Sequence, residues 1–283
     1  MLNNQLAKRF LLLLAAALLI SCAGCGDRIG RYYLNKAMPY YLKKDYNNAF
    51  KYVKKSADSG YWLGQCMVAE MYKEGHGVKA DLKEMIKYYE KAINNRDIPE
   101  KSKLDAKGKL GFSYLKRPEI RDVAKGEAYL TEAADRDGDI GSKTVLASCY
   151  YEGIGVKKDY QKAFAWAYKA CRDKKVDSYH SKQVAAIRGR ENDTYRAGAE
   201  YLLGMMSLYG QGTAKDSKKA YSYFKQAADA GSGDAQCMIA YQYVIGAGVI
   251  KDRNKGMRIL RSMAKKKNAK AKELLAEINK KKL

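Results

Sequence analysis

The stretch YEGIGVKKDYQKAFAW, from Tyr151 to Trp166, contains the pattern that organises most of this chain. Two glycines separated by one residue are followed by a β-branched residue and, three positions later, by an aspartate. This G-x-G-(V/T)-x-x-D pattern occurs four times, beginning at Gly75, Gly153, Gly210 and Gly246. Four occurrences indicate an internal repeat, which predicts stacked repeating units rather than one large core.

Each unit is predicted to form a helix, a tight loop and a second helix. The first glycine, such as Gly153, suits the left-handed position that ends a helix, and Gly155 gives the loop a second unhindered backbone position. Asp159 is placed to accept hydrogen bonds from free N–H groups at the start of the second helix. Asp81 and Glu84 resemble a capping box, with Asp in place of Ser or Thr. Small residues that would let helices approach closely recur at Ala49, Ala163, Ala220 and Gly256 in the second helix and at Ala69, Gly111, Ala147, Gly204 and Ala240 in the first.

Two further units lack the paired glycines. Residues 45–50 reproduce residues 159–164, which places Pro39 where the first glycine should be. The segment around Tyr114 aligns with another unit and places Arg117 at the same point. The six loop starts are 36, 42, 36, 57 and 36 residues apart, so the base period is 36 residues.

These alignments divide the chain into predicted segments. The polar insertion is expected to add a loop and a short helix on one edge, and the amphipathic end of the chain is expected to cap the last repeat. The predicted boundaries are 1–21 for a lipoprotein signal peptide, 22–29 for a linker, 30–60 for a degenerate repeat 1, 61–98 for repeat 2, 99–138 for a degenerate repeat 3, 139–173 for repeat 4, 174–194 for the insertion, 195–231 for repeat 5, 232–267 for repeat 6 and 268–283 for a C-terminal capping helix.

The repeat pattern resembles that of the Sel1-like repeat family, which is related to the tetratricopeptide repeat. The family pattern is L-G-x-x-Y-x-x-G-x-G-V-x-x-D-x-x-K-A. Its final K-A pair, called the K-A step here, corresponds to Lys162 and Ala163. The sequence A-A-x-x-G, with which family repeats end, matches residues 227–231. The resemblance covers residues 30–267 and implies an all-α fold, a right-handed solenoid of helix-loop-helix repeats. The chain departs from the pattern where loop glycines are missing and where Thr213 replaces Val.

The first residues indicate an export signal. Lys8 and Arg9 precede eleven apolar residues that end at Ile20, too few to span a bilayer, which needs roughly 20. The sequence LISC that ends at Cys22 resembles the lipobox of bacterial lipoproteins, in which the Cys is acylated and becomes the mature N-terminus. Cys25 is a second candidate for acylation, and an ordinary secretory peptide is the alternative without acylation.

The residue after Cys22 bears on the location. By resemblance to lipoprotein sorting in Gram-negative bacteria, Ala23 at this position implies delivery to the outer membrane. The expected location is therefore the bacterial cell envelope, with a lipid anchor at the periplasmic face of the outer membrane, since several acyl chains make a stable anchor.

Composition and motifs exclude several classes of protein. Of 283 residues, 47% are hydrophobic and only 3 are Pro, which favours a mainly helical soluble body over disorder, collagen-like repeats or a multi-span membrane fold. The G-x-G pattern lacks the third Gly of a dinucleotide site and the Lys-Ser/Thr of a P-loop. Because the only histidines are His76 and His180, we expect no metal, no cofactor and no catalytic residue. A serine hydrolase built on either histidine stays open, although no G-x-S-x-G elbow supports it.

Cysteines within the repeats permit two hypotheses. An exported compartment allows disulfides, and Cys149 and Cys171 fall on the two helices of one repeat, so a bridge between them is one hypothesis. The other is that both are buried thiols, as expected also for Cys66 and Cys237. The cysteine-rich branch of the Sel1-like family spaces its bridged cysteines regularly, and this chain does not.

First-helix residues that are offset from the core face form a candidate protein-binding surface. These residues are Glu70, Lys73, Ser148, Tyr151, Met205, Tyr209 and Tyr241. Aromatic and Met side chains suit an adaptable surface on the inner face of a solenoid. The alternative is that the same side chains pack against the insertion.

Basic charge is concentrated at the end of the chain. Residues 251–283 carry 13 Lys or Arg and 3 Asp or Glu, and Lys265, Lys266 and Lys267 form a basic patch. Nucleic acid is not expected as a partner outside the cytoplasm, which leaves anionic lipid, envelope polysaccharide or an acidic protein. A solvated lysine-rich end is the alternative.

The leading functional hypothesis is a lipid-anchored cell-envelope scaffold that binds another protein without catalysis, with its oligomeric state open. A second is an immunity protein that neutralises a secreted toxic effector enzyme, because lipoproteins with such repeats resemble some immunity partners and basic charge would complement an acidic effector. A third, from resemblance to the cysteine-rich branch, is a β-lactamase-like hydrolase.

Overall fold

The computed structural model describes residues 25–136, 139–173 and 182–281. Within these ranges the chain forms thirteen α-helices, one short 3-10 helix and no strand, which confirms the predicted all-α fold. The helices are α1 (Cys25–Leu42), α2 (Tyr46–Asp58), α3 (Trp62–Glu74), α4 (Leu82–Ile93), α5 (Glu100–Lys116), the 3-10 helix (Pro118–Ile120), α6 (Val123–Ala134), α7 (Ile140–Glu152), α8 (Tyr160–Arg172), α9 (Lys182–Tyr209), α10 (Ser217–Asp229), α11 (Gly233–Ile245), α12 (Arg253–Lys265) and α13 (Ala269–Lys281).

The chain divides into two compact units. Of the described residues, the first unit contains 25–133 and 182–187, and the second contains 134–136, 139–173 and 188–281. In the first unit α2 packs against α1 and α3, and α4 packs against α3 and α5. In the second unit α7 packs against α8, and α11 packs against α10, α12 and α13. Each unit buries its own hydrophobic core between these helices.

The repeat loops have the predicted backbone. In all four loops both glycines have positive φ, between +69° and +77°. The aspartate then closes the loop twice: Asp159 donates its backbone N–H to the carbonyl of Tyr150 at 3.0 Å, and its carboxylate accepts the N–H of Lys162 at 2.9 Å. The same cap and the same backbone hydrogen bond recur at Asp81, Asp216 and Asp252. The predicted N-caps are therefore confirmed.

Only half of the predicted capping box at Asp81 forms: the carboxylate of Asp81 accepts the N–H of Glu84 at 3.1 Å, but the reciprocal hydrogen bond is absent. The backbone N–H of Asp81 donates to the carbonyl of Tyr72 at 3.0 Å, so loop closure already uses the donor that a capping box requires. The carboxylate of Glu84 instead accepts from the ammonium of Lys87 at 2.8 Å.

The second loop glycine also has a role between repeats. A Cβ atom on Gly77 would lie 2.0 Å from the carbonyl oxygen of Tyr46, at the start of the second helix of the preceding repeat. The corresponding distance is 2.1 Å from Gly212 to Tyr160 and 2.2 Å from Gly248 to Ser217. Stacking of consecutive repeats therefore requires a residue without a side chain at this position.

Small residues bring paired helices together, as predicted. A Cβ on Gly256 of α12 would lie 2.5 Å from the carbonyl oxygen of Ala240 in α11. A Cβ on Gly111 of α5 would lie 2.8 Å from the carbonyl oxygen of Gly126 in α6, so the degenerate repeat 3 contains the same close helix pair. Its loop differs, because α5 ends at Lys116 and the 3-10 helix follows Arg117.

The lysine of the K-A step also connects the two helices of a repeat. The ammonium of Lys162 lies 4.9 Å from the ring centroid of Tyr150, and that of Lys255 lies 4.0 Å from the ring centroid of Tyr243. Each tyrosine is on the first helix and each lysine on the second, so this cation–π contact holds the pair together beside the loop.

The first repeat differs from its predicted boundaries. Helix α1 begins at Cys25, inside the stretch 22–29 predicted as a linker, and it continues through Pro39 to Leu42 instead of ending at residue 39. Pro39 is exposed, so the carbonyl group that loses its helical partner there can be solvated. The turn follows at Lys44, which has φ of +61°, and Asp45 caps α2.

The insertion also differs from its prediction. Helix α9 runs without interruption from Lys182 to Tyr209, so the second half of the insertion extends the first helix of repeat 5 instead of forming a separate short helix. The extension contains no proline that would stop it. Residues 174–181 lie outside the described residues. At the other end, α13 is the expected capping helix and buries Ala271, Leu274 and Ile278.

Candidate protein-binding surface

The candidate surface follows one register of the first helices. Glu70, Ser148, Met205 and Tyr241 each lie five residues before the first glycine of their loop. Repeats with the same backbone therefore present an acid, a hydroxyl, a thioether and a phenol at equivalent points. The hydroxyl of Ser148 donates to the carbonyl of Thr144 at 3.0 Å within its own helix.

In the first unit, Glu70 belongs to an internal network. Its carboxylate contacts the ammonium of Lys109 at 3.0 Å and that of Lys73 at 3.2 Å, and it accepts the hydroxyl proton of Tyr89 at 2.5 Å. The Glu70 side chain is only 12% exposed. Lys73 also contacts Glu74 at 3.4 Å. These groups join α3, α4 and α5, so they stabilise the repeat stack, and the Glu70 carboxylate has little surface for a partner.

The network sets the pKa of Glu70. Burial alone raises the pKa of this carboxyl, but the charges of Lys109 and Lys73 and the hydrogen bond from Tyr89 outweigh burial. Together they hold the pKa of Glu70 well below its usual range, so Glu70 is ionised at neutral pH.

In the second unit, Tyr241 is buried. It is 5% exposed, and its hydroxyl donates to the carboxylate of Glu277 in α13 at 3.1 Å. Burial and this hydrogen bond raise the pKa of Tyr241 to about 12. The capping helix covers this residue, which makes Tyr241 a poor contact for a partner.

Tyr209, Tyr151 and Met205 are accessible. Tyr209 ends α9 and is 47% exposed. Tyr151 is half-buried against the ring of Tyr160, with ring centroids 5.5 Å apart. Burial, then the proximity of Tyr160 and Tyr209, raises the pKa of Tyr151 to about 12, so its hydroxyl keeps its proton at neutral pH. Met205 is half-buried at the edge of the core.

The prediction missed Tyr201. This half-buried residue lies one helical turn before Met205, and its ring centroid lies 5.8 Å from that of Phe224. Burial and the nearby Asp234 and Tyr151 raise its pKa. The signal was available, because a residue four positions before Met205 shares its helix face. We call Tyr151, Tyr201, Met205 and Tyr209 the tyrosine face.

The basic patch is exposed. Lys265, Lys266 and Lys267 end α12 and begin the turn that follows, where Lys267 has φ of +64°. Within the described residues none of the three makes an ion pair. Lys265 also lies with Arg258 and Arg261 along a shallow groove on α12, so positive charge extends over one side of this helix.

Three of the repeat cysteines, Cys66, Cys171 and Cys237, have raised pKa values. The side chains of Cys149 and Cys171 are thiols rather than halves of a disulfide, in contrast to the bridge considered above. Burial raises the pKa of Cys66 and Cys171 to about 12 and that of Cys237 to about 11. Thiols with such pKa values are poor nucleophiles.

Other predicted features are placed as follows. Cys22 and His180 lie outside the described residues. The ring of His76 stacks on that of Tyr46, with centroids 4.1 Å apart. In the described part of the chain, no three His, Cys, Asp or Glu side chains are grouped so as to hold a metal ion, and no helix is both long enough and apolar enough to cross a membrane.

Comparison with a family model identifies the repeats. The model described as the Sel1 repeat matches residues 28–61, 62–97, 144–174, 197–232 and 233–268. The degenerate unit at 99–138 is not among these matches. Repeat 1 is matched although its loop glycines are missing.

Relatives and solved structures share the fold. An uncharacterized protein of Neisseria meningitidis serogroup B is 25% identical over 216 residues, which are 76% of this chain and 38% of that relative. A Sel1 repeat protein from Oxalobacter formigenes superposes with a TM-score of 0.65 at 24% identity, covering 87% of this chain and 89% of the other. A protective antigen of uropathogenic Escherichia coli that displays an SLR fold has a TM-score of 0.64 at 23% identity, covering 88% of this chain and 48% of that one. The chain thus spans less than half the length of the first and third relatives, and the two structures confirm the predicted solenoid fold alone.

Proposed function

The chain belongs to the Sel1 repeat family, and on this basis we propose that it is a lipid-anchored scaffold of the bacterial cell envelope that binds another protein through the tyrosine face. Sel1 repeat proteins bind other proteins, and solenoids do so through extended surfaces built from equivalent positions of successive repeats. The proposal assigns this role to α7 and α9 of the second unit.

The observation that carries the proposal is the exposure of Tyr209 beside half-buried aromatic and Met side chains. Aromatic anchors contribute most of the binding energy at protein interfaces, and Met adapts to the shape of a partner. The equivalent register in the first unit is occupied by the internally paired Glu70. The second unit is therefore the better candidate for recognition.

The chemistry of the partner follows from charge. Without Lys8 and Arg9, the net charge of +23 becomes +21. The exposed Lys265, Lys266 and Lys267 would attract an acidic protein and speed its association. An immunity role remains the second candidate, because an acidic effector enzyme is one partner that this surface would fit.

Site-specific photocrosslinking in the native host tests the proposal. A photoreactive phenylalanine analogue replaces Tyr209 in one variant and Tyr168 in the control. The control is well matched, because Tyr168 is an exposed tyrosine of the same unit, 40% exposed, but lies on a second helix, α8.

We expect a crosslinked protein at position 209 and none at position 168. Identification by mass spectrometry separates the roles: a toxic enzyme supports immunity, and an envelope-assembly component supports a scaffold. Equal crosslinking at both positions, or none at position 209, would contradict binding through the tyrosine face.

A further inference from the structure

The first helix has an unusual exposed face. Seven large hydrophobic side chains are exposed in the described residues, and three of them belong to α1: Ile29, Tyr32 and Leu42, which are 50%, 53% and 51% exposed. Tyr32 lies on the side of α1 opposite to Leu34, Ala37 and Tyr41, which are buried against the rest of the unit, and Ile29 and Leu42 lie on the two flanks of this exposed side. The concentration of three of the seven exposed large hydrophobic side chains on one helix makes α1 a candidate interaction surface.

The charged residues of the same face are basic. Arg28, Lys36 and Lys43 are exposed there, and residues 28–44 contain no Asp or Glu. Asp27, just before this stretch, is bound by the guanidinium of Arg31 at 2.8 Å. A helix face that combines apolar, tyrosine and basic side chains without acids fits the headgroup region of an anionic membrane.

The position of α1 beside the proposed lipid anchor favours a membrane as the surface it meets. Cys22 lies three residues before Cys25, the first residue of α1, and three residues span at most about 11 Å even when fully extended. Acylation of Cys22, as proposed above, would hold the start of α1 within that distance of the bilayer. The repeats that follow along the chain are not constrained in this way.

We infer that α1 lies along the membrane surface, with Ile29, Tyr32 and Leu42 among the lipid headgroups and Arg28, Lys36 and Lys43 beside lipid phosphates. This inference rests on the proposed acylation of Cys22. The helix then supports the lipid anchor and fixes how the first repeat is oriented on the membrane.

Fluorescence quenching by brominated lipids tests this arrangement. The full acylated chain is purified and reconstituted into vesicles of phosphatidylcholine and phosphatidylglycerol in which part of the lipid carries bromine near the headgroup. Tyr32→Trp and Leu42→Trp report from points on α1 that are about 15 Å apart. Tyr168→Trp is the matched control, and the unsubstituted chain gives the background from its two native Trp residues.

We expect fractional quenching at Tyr32→Trp and Leu42→Trp to be at least twofold greater than at Tyr168→Trp. Removing phosphatidylglycerol, or the substitution Lys36→Glu, should reduce the quenching at Tyr32→Trp. Quenching of all three variants to the same extent would overturn the inference, and quenching of Tyr32→Trp without Leu42→Trp would overturn the orientation along the surface.

Two further measurements test the lipid anchor independently of the orientation of α1. Mass spectrometry of the purified chain shows whether Cys22 is acylated, and flotation shows whether the chain stays with the vesicles. A chain without acylation would overturn the anchor and this inference together. An acylated, floating chain with equal quenching would overturn only this inference.

Discussion

At the scale of the residue, Gly212 occupies a position where a side chain has no room. Its φ is +69°, and a Cβ atom would lie 2.1 Å from the carbonyl oxygen of Tyr160. Gly231 offers a matched comparison, because its φ is +95° but no atom lies within 4 Å of its Cβ position. Comparing the loss of stability at these two glycines therefore distinguishes the cost of backbone strain from the cost of a steric clash between repeats.

We expect Gly231→Ala to lower the free energy of unfolding by about 1 kcal/mol through the left-handed backbone alone. Gly212→Ala should cost about 2 to 5 kcal/mol, because the same strain is joined by overpacking between repeats. Urea unfolding followed by circular dichroism measures both. Equal costs would show that the contact between repeats has no energetic importance.

Glu70 gives a prediction on pH. Its pKa is lowered in the folded chain, so its network contributes stability above the unfolded pKa of about 4.3, and this stability is lost as the pH falls toward the folded value. Glu70→Gln should therefore destabilise the chain at pH 7, and the difference from the unsubstituted chain should be about 1 to 2 kcal/mol smaller at pH 3. Urea unfolding at the two pH values measures it, with the exposed Glu273→Gln as control. A difference that does not change with pH would contradict the ionised network.

At the scale of the element, the aspartate caps define where second helices begin. The carboxylate of Asp159 accepts the N–H of Lys162 at 2.9 Å. Asp159→Ala should lower the free energy of unfolding by about 1 kcal/mol, because this N–H loses its acceptor. Asp159→Asn retains a side-chain oxygen and should cost much less. Thermal unfolding of the two variants compares them, and equal effects would argue against the cap.

The sequence was sufficient for features that depend on neighbouring residues. Positive φ at Gly153 and the cap at Asp159 follow from local backbone chemistry, so the motif predicted them. Contacts between distant segments were not predictable in this way. The clash position of Gly212 depends on Tyr160, 52 residues earlier, and the burial of Tyr241 depends on α13, which follows it by a whole repeat.

Helix boundaries also depended on more than the motif. Alignment placed a loop at Pro39, but the exposed proline is tolerated and α1 continues to Leu42. The insertion was predicted as a separate element, whereas nothing in residues 182–194 stops a helix that continues into repeat 5. The candidate surface stays a prediction: burial removes Glu70 and Tyr241 from it, and the half-buried Tyr201 joins it.

At the scale of the whole molecule, we propose a lipid anchor before α1 and a recognition surface in the second unit. The proposed acylation of Cys22 can be tested by substitution. Cys22→Ser should remove acylation and release the chain from membranes, because the acyl chains supply most of the membrane affinity. Membrane fractionation and mass spectrometry measure both effects, with Cys25→Ser as the control. Acylation that survives Cys22→Ser and is lost in Cys25→Ser would place the anchor at the other cysteine.

Recognition through the tyrosine face and recognition through the basic patch predict different responses to salt. Binding through aromatic anchors should change little with ionic strength. Binding through Lys265, Lys266 and Lys267 should weaken strongly as salt rises, because exposed charges are screened beyond a Debye length of about 10 Å at 0.1 M. Neutralising the three lysines should slow association most at low salt.

The most direct measurement is titration calorimetry of the crosslinked partner, once identified, with the unsubstituted chain, Tyr209→Ala and the control Tyr168→Ala. We expect Tyr209→Ala to weaken the Kd by about 30-fold, equivalent to the roughly 2 kcal/mol of an aromatic anchor, at both low and moderate salt. Tyr168→Ala should leave the Kd unchanged, and circular dichroism should show that both variants are folded. Full affinity in folded Tyr209→Ala would contradict recognition through the tyrosine face.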